Sequence, residues 1–155
     1  MTPLRLMFDT SAVRSLESNG ELTRALKDLI DRKLITIVIC RTVSEELWAG
    51  NRRKKGPGIP VLPVDYVGNT VGAVGLMACG DSIGEGLIFD ALMDGALSSK
   101  REKDALVGDA TLWHADVLVT DDLKFVRRFR RAAPSRTTVR LRELPGVLKA
   151  RGLLT

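Results

Sequence analysis

The stretch LITIVIC, residues 34–40, constrains the fold more than any other part of the sequence. Its residues are all apolar or β-branched, without the sustained alternation of apolar and polar residues that marks a half-exposed strand. A strand of this composition is covered on both faces, as in a parallel sheet with helices on either side. LRLMF at 4–8 and DVLVT at 116–120 are similar in character, so we expect further strands there.

Segments with helical signals follow the first two expected strands. The small polar residues of DTSAV can cap a helix that begins near Ser11. Apolar residues then recur at helical spacing over 22–30. In TVSEELWAG, Thr42 or Ser44 can serve as an N-cap and Gly50 as the end of the helix. We therefore expect helices between and after these strands.

Two more helices are expected before the strand DVLVT. Ser82 and Glu85 have the spacing of a capping box, for a helix that continues through Leu92. Another helix is expected to start after SSK at 98–100 and to reach about His114. Helices that alternate with strands predict an α/β fold with a mainly parallel central sheet.

The chain has the length of one domain, so we expect a single unit over residues 1–155. NRRKKGPGIPVLP at 51–63 is expected to be a loop, because four basic residues precede a stretch rich in glycine and proline. A second basic segment covers 124–136, and a basic strand and tail follow from about residue 136. The formal charge of +5 fits an anionic partner such as nucleic acid, and it equally fits a surface that only keeps the protein soluble.

Cys40 and Cys79 form no C-x-x-C pair and no zinc-like cluster, so we expect two reduced, structural thiols. No apolar stretch approaches the length of a membrane span, and the first residues contain no long apolar segment of the signal-peptide kind. These features predict a cytoplasmic protein with no membrane association.

Carboxylates follow two of the expected strands and open two of the expected helices. Asp9 ends the first strand, while Asp121 and Asp122 end DVLVT. Since ligands of open α/β sheets bind at the carboxyl ends of the strands, these acids are expected at one edge. Glu45 or Glu46, and also Asp104, can reach the same edge from helix starts.

Each of these acids taken alone has an ordinary explanation, such as a helix cap or a partner for a helix dipole. Together they would repel one another strongly unless a cation neutralised them. All-oxygen ligation without histidine or cysteine favours Mg²⁺ or Mn²⁺. Such an ion suits metal-assisted hydrolysis of a phosphodiester, for which the basic segments could hold the polyanion.

The order of FDTS, SEELWAG and KDALVGDATLWHADVLVTDDLKF resembles that of the PIN-domain nucleases, including the toxins of type II toxin–antitoxin pairs. Asp104 opens DALVGDAT and Asp122 closes LVTDDLKF, as in that family's pattern, and Asp9 precedes two hydroxyl residues. The family's glutamate precedes a leucine, which selects Glu46 over Glu45. The resemblance runs from about residue 4 to residue 130.

The resemblance implies a three-layer α/β/α sandwich, Rossmann-like in its sheet, and an endoribonuclease for single-stranded RNA that depends on Mg²⁺ or Mn²⁺. Asp9, Glu46, Asp104 and Asp122 would be the catalytic and metal-binding residues, supported by Ser11, Thr120 and Asp121. Implied partners are RNA, a small antitoxin protein and a second copy of the chain. Candidate RNA-binding residues are Arg52, Arg53, Lys54, Lys55, Arg127 and Arg128.

Several residues depart from the family pattern or leave alternatives open. Asp109 stands where the family has a small apolar residue, and is either an extra metal-site acid or a surface residue. His114 is expected to meet the dipole at a helix end, and Trp48 and Trp113 are expected to pack.

The alternative functions are a catalytically inactive PIN-like module that binds RNA or protein, and a haloacid-dehalogenase-like phosphatase. The latter usually has a second aspartate where this chain has Ser11.

Overall fold

The five strands of the described residues form one fully parallel sheet. The structure is a computed structural model that describes residues 1–54, 62–71, 86–96 and 98–155, with backbone alone for 51–54. The strands are β1 Leu4–Phe8, β2 Ile35–Cys40, β3 Val64–Val67, β4 Val117–Val119 and β5 Thr137–Val139. Their order in the sheet is β3-β2-β1-β4-β5, so β1 is central.

Helices flank this sheet on both sides, which gives a three-layer α/β/α sandwich and confirms the predicted fold class. A 3-10 turn, Leu141–Glu143, precedes the last helix. The helices in the described ranges are α1 Thr10–Glu17, α2 Gly20–Asp31, α3 Arg41–Lys54, α4 Phe89–Met93, α5 Ser99–His114, α6 Leu123–Ala132 and α7 Leu144–Ala150.

The core lies where the non-alternating strands predict it. In β2 every residue except Thr36 is buried, and all of β4 is buried. Helices cover both faces of these strands, so the side chains on each face pack away from water. None of the helices in the described ranges has the length and apolar character that a membrane span requires.

Helix α3 is longer than predicted at both ends. It begins at Arg41, directly after β2, and runs past Gly50 to Lys54, so the first part of the predicted loop 51–63 is helical. A Cβ on Gly50 would lie 3.0 Å from the Arg14 guanidinium of α1, the movable end of a long side chain. The expectation that Gly50 ends the helix was therefore wrong.

Three other element boundaries differ from the expectations. Residues 86–88 are not helical and α4 starts only at Phe89, while the proposed cap residues Ser82 and Glu85 lie outside the described residues. The C-terminal segment is not a tail, because Leu144 and Leu148 of α7 are buried against the core. Strand β3 was not predicted, since it is a short edge strand with little burial between proline and glycine residues.

Both tryptophans are exposed, so the prediction that they pack was wrong. Trp48 and Trp113 have relative exposures of 57% and 58%. Val43 and Leu47 already supply the buried face of α3 and leave Trp48 outside it.

Cys40 is buried as expected, and burial raises the pKa of its thiol to about 12. Cys79 lies outside the described residues.

Candidate active site

An acidic pocket opens where the sheet topology reverses direction. The chain proceeds outward from β1 through β2 to β3, then returns to the other side of β1 for β4 and β5. The carboxyl ends of β1 and β4 are adjacent, because the Asp9 amide donates a hydrogen bond to the Val119 carbonyl at 3.0 Å. The crevice at such a switch point is the usual ligand site of open α/β sheets.

Three helices form the walls of this pocket, which we call the acidic pocket. Helices α3 and α5 each contribute residues spaced by three and four positions, the spacing that places side chains on one helix face. The pocket has a volume of about 470 Å³. Its lining residues are Asp9, Thr10, Ser11, Arg14, Glu46, Ala49, Gly50, Lys100, Lys103, Asp104 and Asp122. The structure thus brings together the four acids named from the sequence.

Asp9 is the deepest of the four acids, with 7% of its surface exposed. It occupies the N-cap position of α1, but its side chain makes no capping hydrogen bond, so helix capping does not explain it. The Asp9 carboxylate instead accepts hydrogen bonds from Thr120 at 2.8 Å and from Ser11 at 3.3 Å. Burial raises the pKa of Asp9, and the charge of Glu46 raises it further, against these hydrogen bonds.

The supporting residues Ser11, Thr120 and Asp121 form one network beneath the pocket. The Ser11 and Thr120 hydroxyls lie 3.2 Å apart, and the Asp121 amide donates to the Ser11 hydroxyl at 3.0 Å. The Asp121 side chain turns away from the acids and accepts a hydrogen bond from the Leu141 amide at 2.9 Å. Asp121 therefore fixes the end of β4 against the 3-10 turn, while Asp122 lines the pocket.

Asp104 is buried on α5 beside Arg128 of α6, whose guanidinium donates to its Oδ2 at 2.5 Å. Burial raises the pKa of Asp104 to about 7, and the charge of Asp9 also raises it, while Arg128 opposes the shift. A carboxyl with this pKa is only partly ionised at neutral pH. The negative charges of Asp9 and Asp104 therefore disfavour each other across the pocket.

Asp122 combines two roles that the sequence left as alternatives. One oxygen, Oδ1, caps α6 by accepting the amides of Lys124 and Phe125 at 2.9 and 3.1 Å. The other, Oδ2, meets the Lys100 ammonium at 3.0 Å in the pocket. Burial alone would raise the pKa of Asp122, but the hydrogen bonds from Lys100 and from the helix amides outweigh it and lower the pKa.

Glu46 faces the pocket from α3 and is held from two sides. The Thr10 hydroxyl donates to Oε2 of Glu46, and the Lys103 ammonium lies 3.3 Å from its Oε1. The neighbouring Glu45 is more exposed and pairs with Arg41 at 2.6 Å. The structure thus places Glu46, and not Glu45, among the pocket acids.

Basic side chains in and beside the pocket already pair with three of its acids. Lys100, Lys103 and Arg128 pair with Asp122, Glu46 and Asp104, and within the described ranges no three acidic, histidine or cysteine side chains are arranged to hold a metal ion. The lysine side chains are 75% and 51% exposed. Ion pairs this exposed contribute about 0–1 kcal/mol each, so a divalent cation could displace these lysines at little cost.

The donor chemistry nevertheless fits Mg²⁺ or Mn²⁺. The pocket offers carboxylate and hydroxyl oxygens, which are the ligands these hard ions prefer. Asp9 and Asp104 both have raised pKa values, so their anions are unfavourable without a further positive charge. Asp9, Glu46, Asp104 and Asp122 are the residues that would hold the ion.

Asp109 is neither a surface residue nor part of the acidic pocket, so both expectations for it were wrong. It is fully buried in α5. Its Oδ1 accepts the Thr70 hydroxyl at 2.6 Å, and its Oδ2 accepts the amides of Leu87, Ile88 and Phe89 at 2.6–3.1 Å. This carboxylate fixes the chain that leads into α4.

The candidate RNA-binding residues lie in different settings. Arg127 is exposed on α6, whereas Arg128 is partly buried against Asp104. Only the backbone of Arg52, Arg53 and Lys54 is described, within α3, and Lys55 lies outside the described residues.

Sequence reasoning missed the basic residues Arg14, Lys100 and Lys103, which line the acidic pocket. A signal for each was present. Arg14 follows Thr10 by four residues, Lys100 precedes Asp104 by four, and Lys103 follows Lys100 by three, so each lies on the helix face of another pocket residue. His114 is the last residue of α5, and burial together with Arg5 lowers the pKa of its imidazole, which favours the neutral form at this helix end.

The fold and the site define a class, namely α/β/α proteins with an acidic pocket at the switch point of a parallel sheet. No protein-family model and no curated protein sequence matches the chain.

Proposed function

We propose that this protein is an endoribonuclease that uses Mg²⁺ or Mn²⁺ to hydrolyse phosphodiester bonds of single-stranded RNA. The observation that carries the proposal is the convergence of Asp9, Glu46, Asp104 and Asp122 on one pocket. The acids come from two strand ends and two helices that are distant in sequence. The resemblance to PIN-domain nucleases in the same four positions supports the same function.

When bound, the metal would supply a Lewis acid that lowers the pKa of a water molecule and offsets charge on the phosphoryl oxygens. The chain's own residues orient the pocket carboxylates and provide positive charge for the substrate phosphates. Thr120 and Ser11 fix the Asp9 carboxylate, and Thr10 fixes Glu46. Lys100 and Lys103 are long, exposed side chains at the pocket rim, where they can contact the phosphates of the substrate.

Cleavage of a labelled single-stranded RNA by the purified protein tests the proposal. We expect cleavage with Mn²⁺ or Mg²⁺, none with EDTA, and loss of at least about a hundredfold in rate for Asp9→Asn and for Asp122→Asn. The exposed pair Asp28→Asn and Asp31→Asn on α2 is the matched control and should retain wild-type rates. Absence of metal-dependent cleavage, or full activity of Asp9→Asn, would contradict the proposal.

We further propose that the nuclease is the toxin of a toxin–antitoxin pair and that it forms a homodimer, as the family resemblance implies. Induced expression should then arrest growth, and Asp9→Asn should abolish the arrest. Co-expression with a small open reading frame adjacent to the gene should restore growth. Arrest that is equally strong with Asp9→Asn would exclude a nuclease toxin.

A second candidate, an inactive PIN-like module that binds RNA or protein, is favoured by the ion pairs within the pocket. Lys100, Lys103 and Arg128 already compensate three of the four acids without a metal. Such a module would bind RNA with equal affinity in Mn²⁺ and in EDTA and would cleave none. Release of phosphate from a generic phosphomonoester would instead indicate the phosphatase alternative.

A further inference from the structure

Two charged residues of the acidic pocket have no ionic partner among the described residues. Each of the other charges in and beside the pocket belongs to one of three ion pairs, Lys100–Asp122, Lys103–Glu46 and Arg128–Asp104. Asp9 and Arg14 also line the pocket, and neither forms an ion pair with another residue in the described ranges. Within this part of the chain, the pocket therefore leaves one negative and one positive charge uncompensated.

Arg14 reaches the pocket from α1, one helical turn after Thr10. Its guanidinium lies beside α3, since Nη2 is 3.0 Å from the position that a Cβ on Gly50 would occupy. Ala49 and Gly50 form this part of the pocket wall, and their small size leaves room for a ligand next to the guanidinium. Arg14 is exposed, so a ligand that enters from solvent can reach it.

The two uncompensated charges favour ligands of opposite sign. Asp9 is buried, and a buried carboxylate is unfavourable without a cation, so this residue favours a metal ion. The Arg14 guanidinium is always protonated, and its planar set of N–H donors matches two oxygens of a phosphate. A metal ion at Asp9 together with a phosphodiester at Arg14 would compensate both charges within one pocket. Lys100 and Lys103 differ from Arg14, because each already pairs with an acid.

We propose that Arg14 binds the reacting phosphodiester and that its guanidinium donates hydrogen bonds to the non-bridging oxygens. This inference rests on the proposed function, and it adds the residue that holds the substrate anion. A cation at these oxygens stabilises the charge that they carry in the transition state. An exposed arginine in the last turn of α1 also complements the helix dipole, and that role alone predicts no effect on hydrolysis.

Arg14→Gln tests the inference with two substrates. One is a single-stranded RNA oligonucleotide, and the other is bis(p-nitrophenyl) phosphate, which has one phosphodiester and no flanking phosphates. We expect Arg14→Gln to lower kcat/KM about tenfold or more on both, because the contact is to the phosphodiester that they share. Arg14→Lys keeps the charge without the planar donors, so its kcat/KM should lie between Arg14→Gln and wild type. The control Arg24→Gln, at an exposed position of α2, should stay within about twofold of wild type.

Calorimetric titration with Mn²⁺ separates phosphate binding from a structural role of Arg14. Removal of a positive charge from the pocket should leave Mn²⁺ affinity unchanged or higher, whereas a disrupted pocket would bind Mn²⁺ more weakly. Wild-type kcat/KM in Arg14→Gln, a loss on RNA alone, or weaker Mn²⁺ binding would overturn the inference.

Binding of fluorescently labelled RNA in EDTA separates failure of this inference from failure of the proposed function. If wild type hydrolyses neither substrate, the proposed function fails. Phosphate binding by Arg14 is then still supported if Arg14→Gln weakens RNA binding more than Arg24→Gln does. Equal RNA affinities of these two variants would in that case overturn the inference as well.

Discussion

Asp9 carries a charge that the folded protein disfavours, and this has a measurable consequence. Burial and Glu46 raise its pKa in the folded state, so the folded protein binds the Asp9 proton more tightly than the unfolded chain does. The stability of the metal-free protein should therefore fall as pH rises from the unfolded pKa of the carboxyl through its folded pKa. Asparagine in its place cannot ionise and can still accept hydrogen bonds through its amide oxygen.

We predict that Asp9→Asn raises the melting temperature in EDTA near pH 8, by about 2–4 °C for each kcal/mol of relieved repulsion. The gain should shrink as the pH is lowered into the acidic range, because the wild-type carboxyl becomes protonated there. Thermal unfolding monitored by circular dichroism across this pH range measures both. A destabilised Asp9→Asn protein at pH 8 would show that the carboxylate is compensated in the fold without a metal.

Asp109 should act on stability and leave metal binding unchanged. Its carboxylate satisfies one hydroxyl and three backbone amides in a fully buried setting. Asp109→Asn presents an NH₂ group to donors on one side, so we expect a loss of about 1–3 kcal/mol in the free energy of unfolding. Urea denaturation measures this loss, with exposed Asp90→Asn on α4 as the control. Equal stability of the two variants would contradict the structural role.

At the scale of the elements, Gly108 allows α5 to pack closely against α4 and α6. A Cβ on Gly108 would overlap Leu92 of α4 and approach Phe129 of α6 to 3.3 Å. We predict that Gly108→Ala destabilises the protein by about 1–3 kcal/mol through overpacking, despite the higher helix propensity of alanine. Gly20→Ala at the start of α2 meets nothing within 4 Å and should be neutral or stabilising. Urea denaturation measures the change in the free energy of unfolding for both variants. Equal changes in the two variants would contradict this prediction.

Under the proposed function, the exposed basic face of α6 is a candidate surface for the RNA backbone. Arg127 and Arg131 are exposed, while Phe125 and Phe129 anchor the helix in the core. We predict that the double variant Arg127→Gln/Arg131→Gln weakens RNA binding and lowers the slope of log affinity against log salt by about 0.7 for each lost phosphate contact. The control is the double variant Arg24→Gln/Lys27→Gln, which removes the same number of positive charges from α2. Identical slopes for the two double variants would exclude α6 from the interface.

For the molecule as a whole, the sequence predicted what depends on local patterns. The uninterrupted apolar character of β2 and the acids at the ends of β1 and β4 were sufficient to anticipate the parallel sheet and to place Asp9 and Asp122 at one edge. Strand β3 was missed because an edge strand needs little burial, and Gly50 was misread because α3 continues through it to Lys54. The pairing of pocket acids with Lys100, Lys103 and Arg128 depends on helix packing, which periodicity alone does not determine.

The whole molecule combines a net charge of +5 with a pocket that concentrates four acids. Under the proposed function, the surface charge would attract a polyanion and the pocket would hold a cation. For the proposed function, the pocket must bind a divalent ion more favourably than it binds its own lysines.

Titration calorimetry with Mn²⁺ tests this requirement most directly. We predict saturable binding to the wild-type protein that is lost in Asp9→Asn and kept in the control Asp28→Asn. Affinity should weaken as the pH falls below about 7, the pKa of Asp104, and protonation of Asp9, whose pKa is also raised, acts in the same direction. No heat of binding to the wild-type protein, or unchanged binding to Asp9→Asn, would contradict the account.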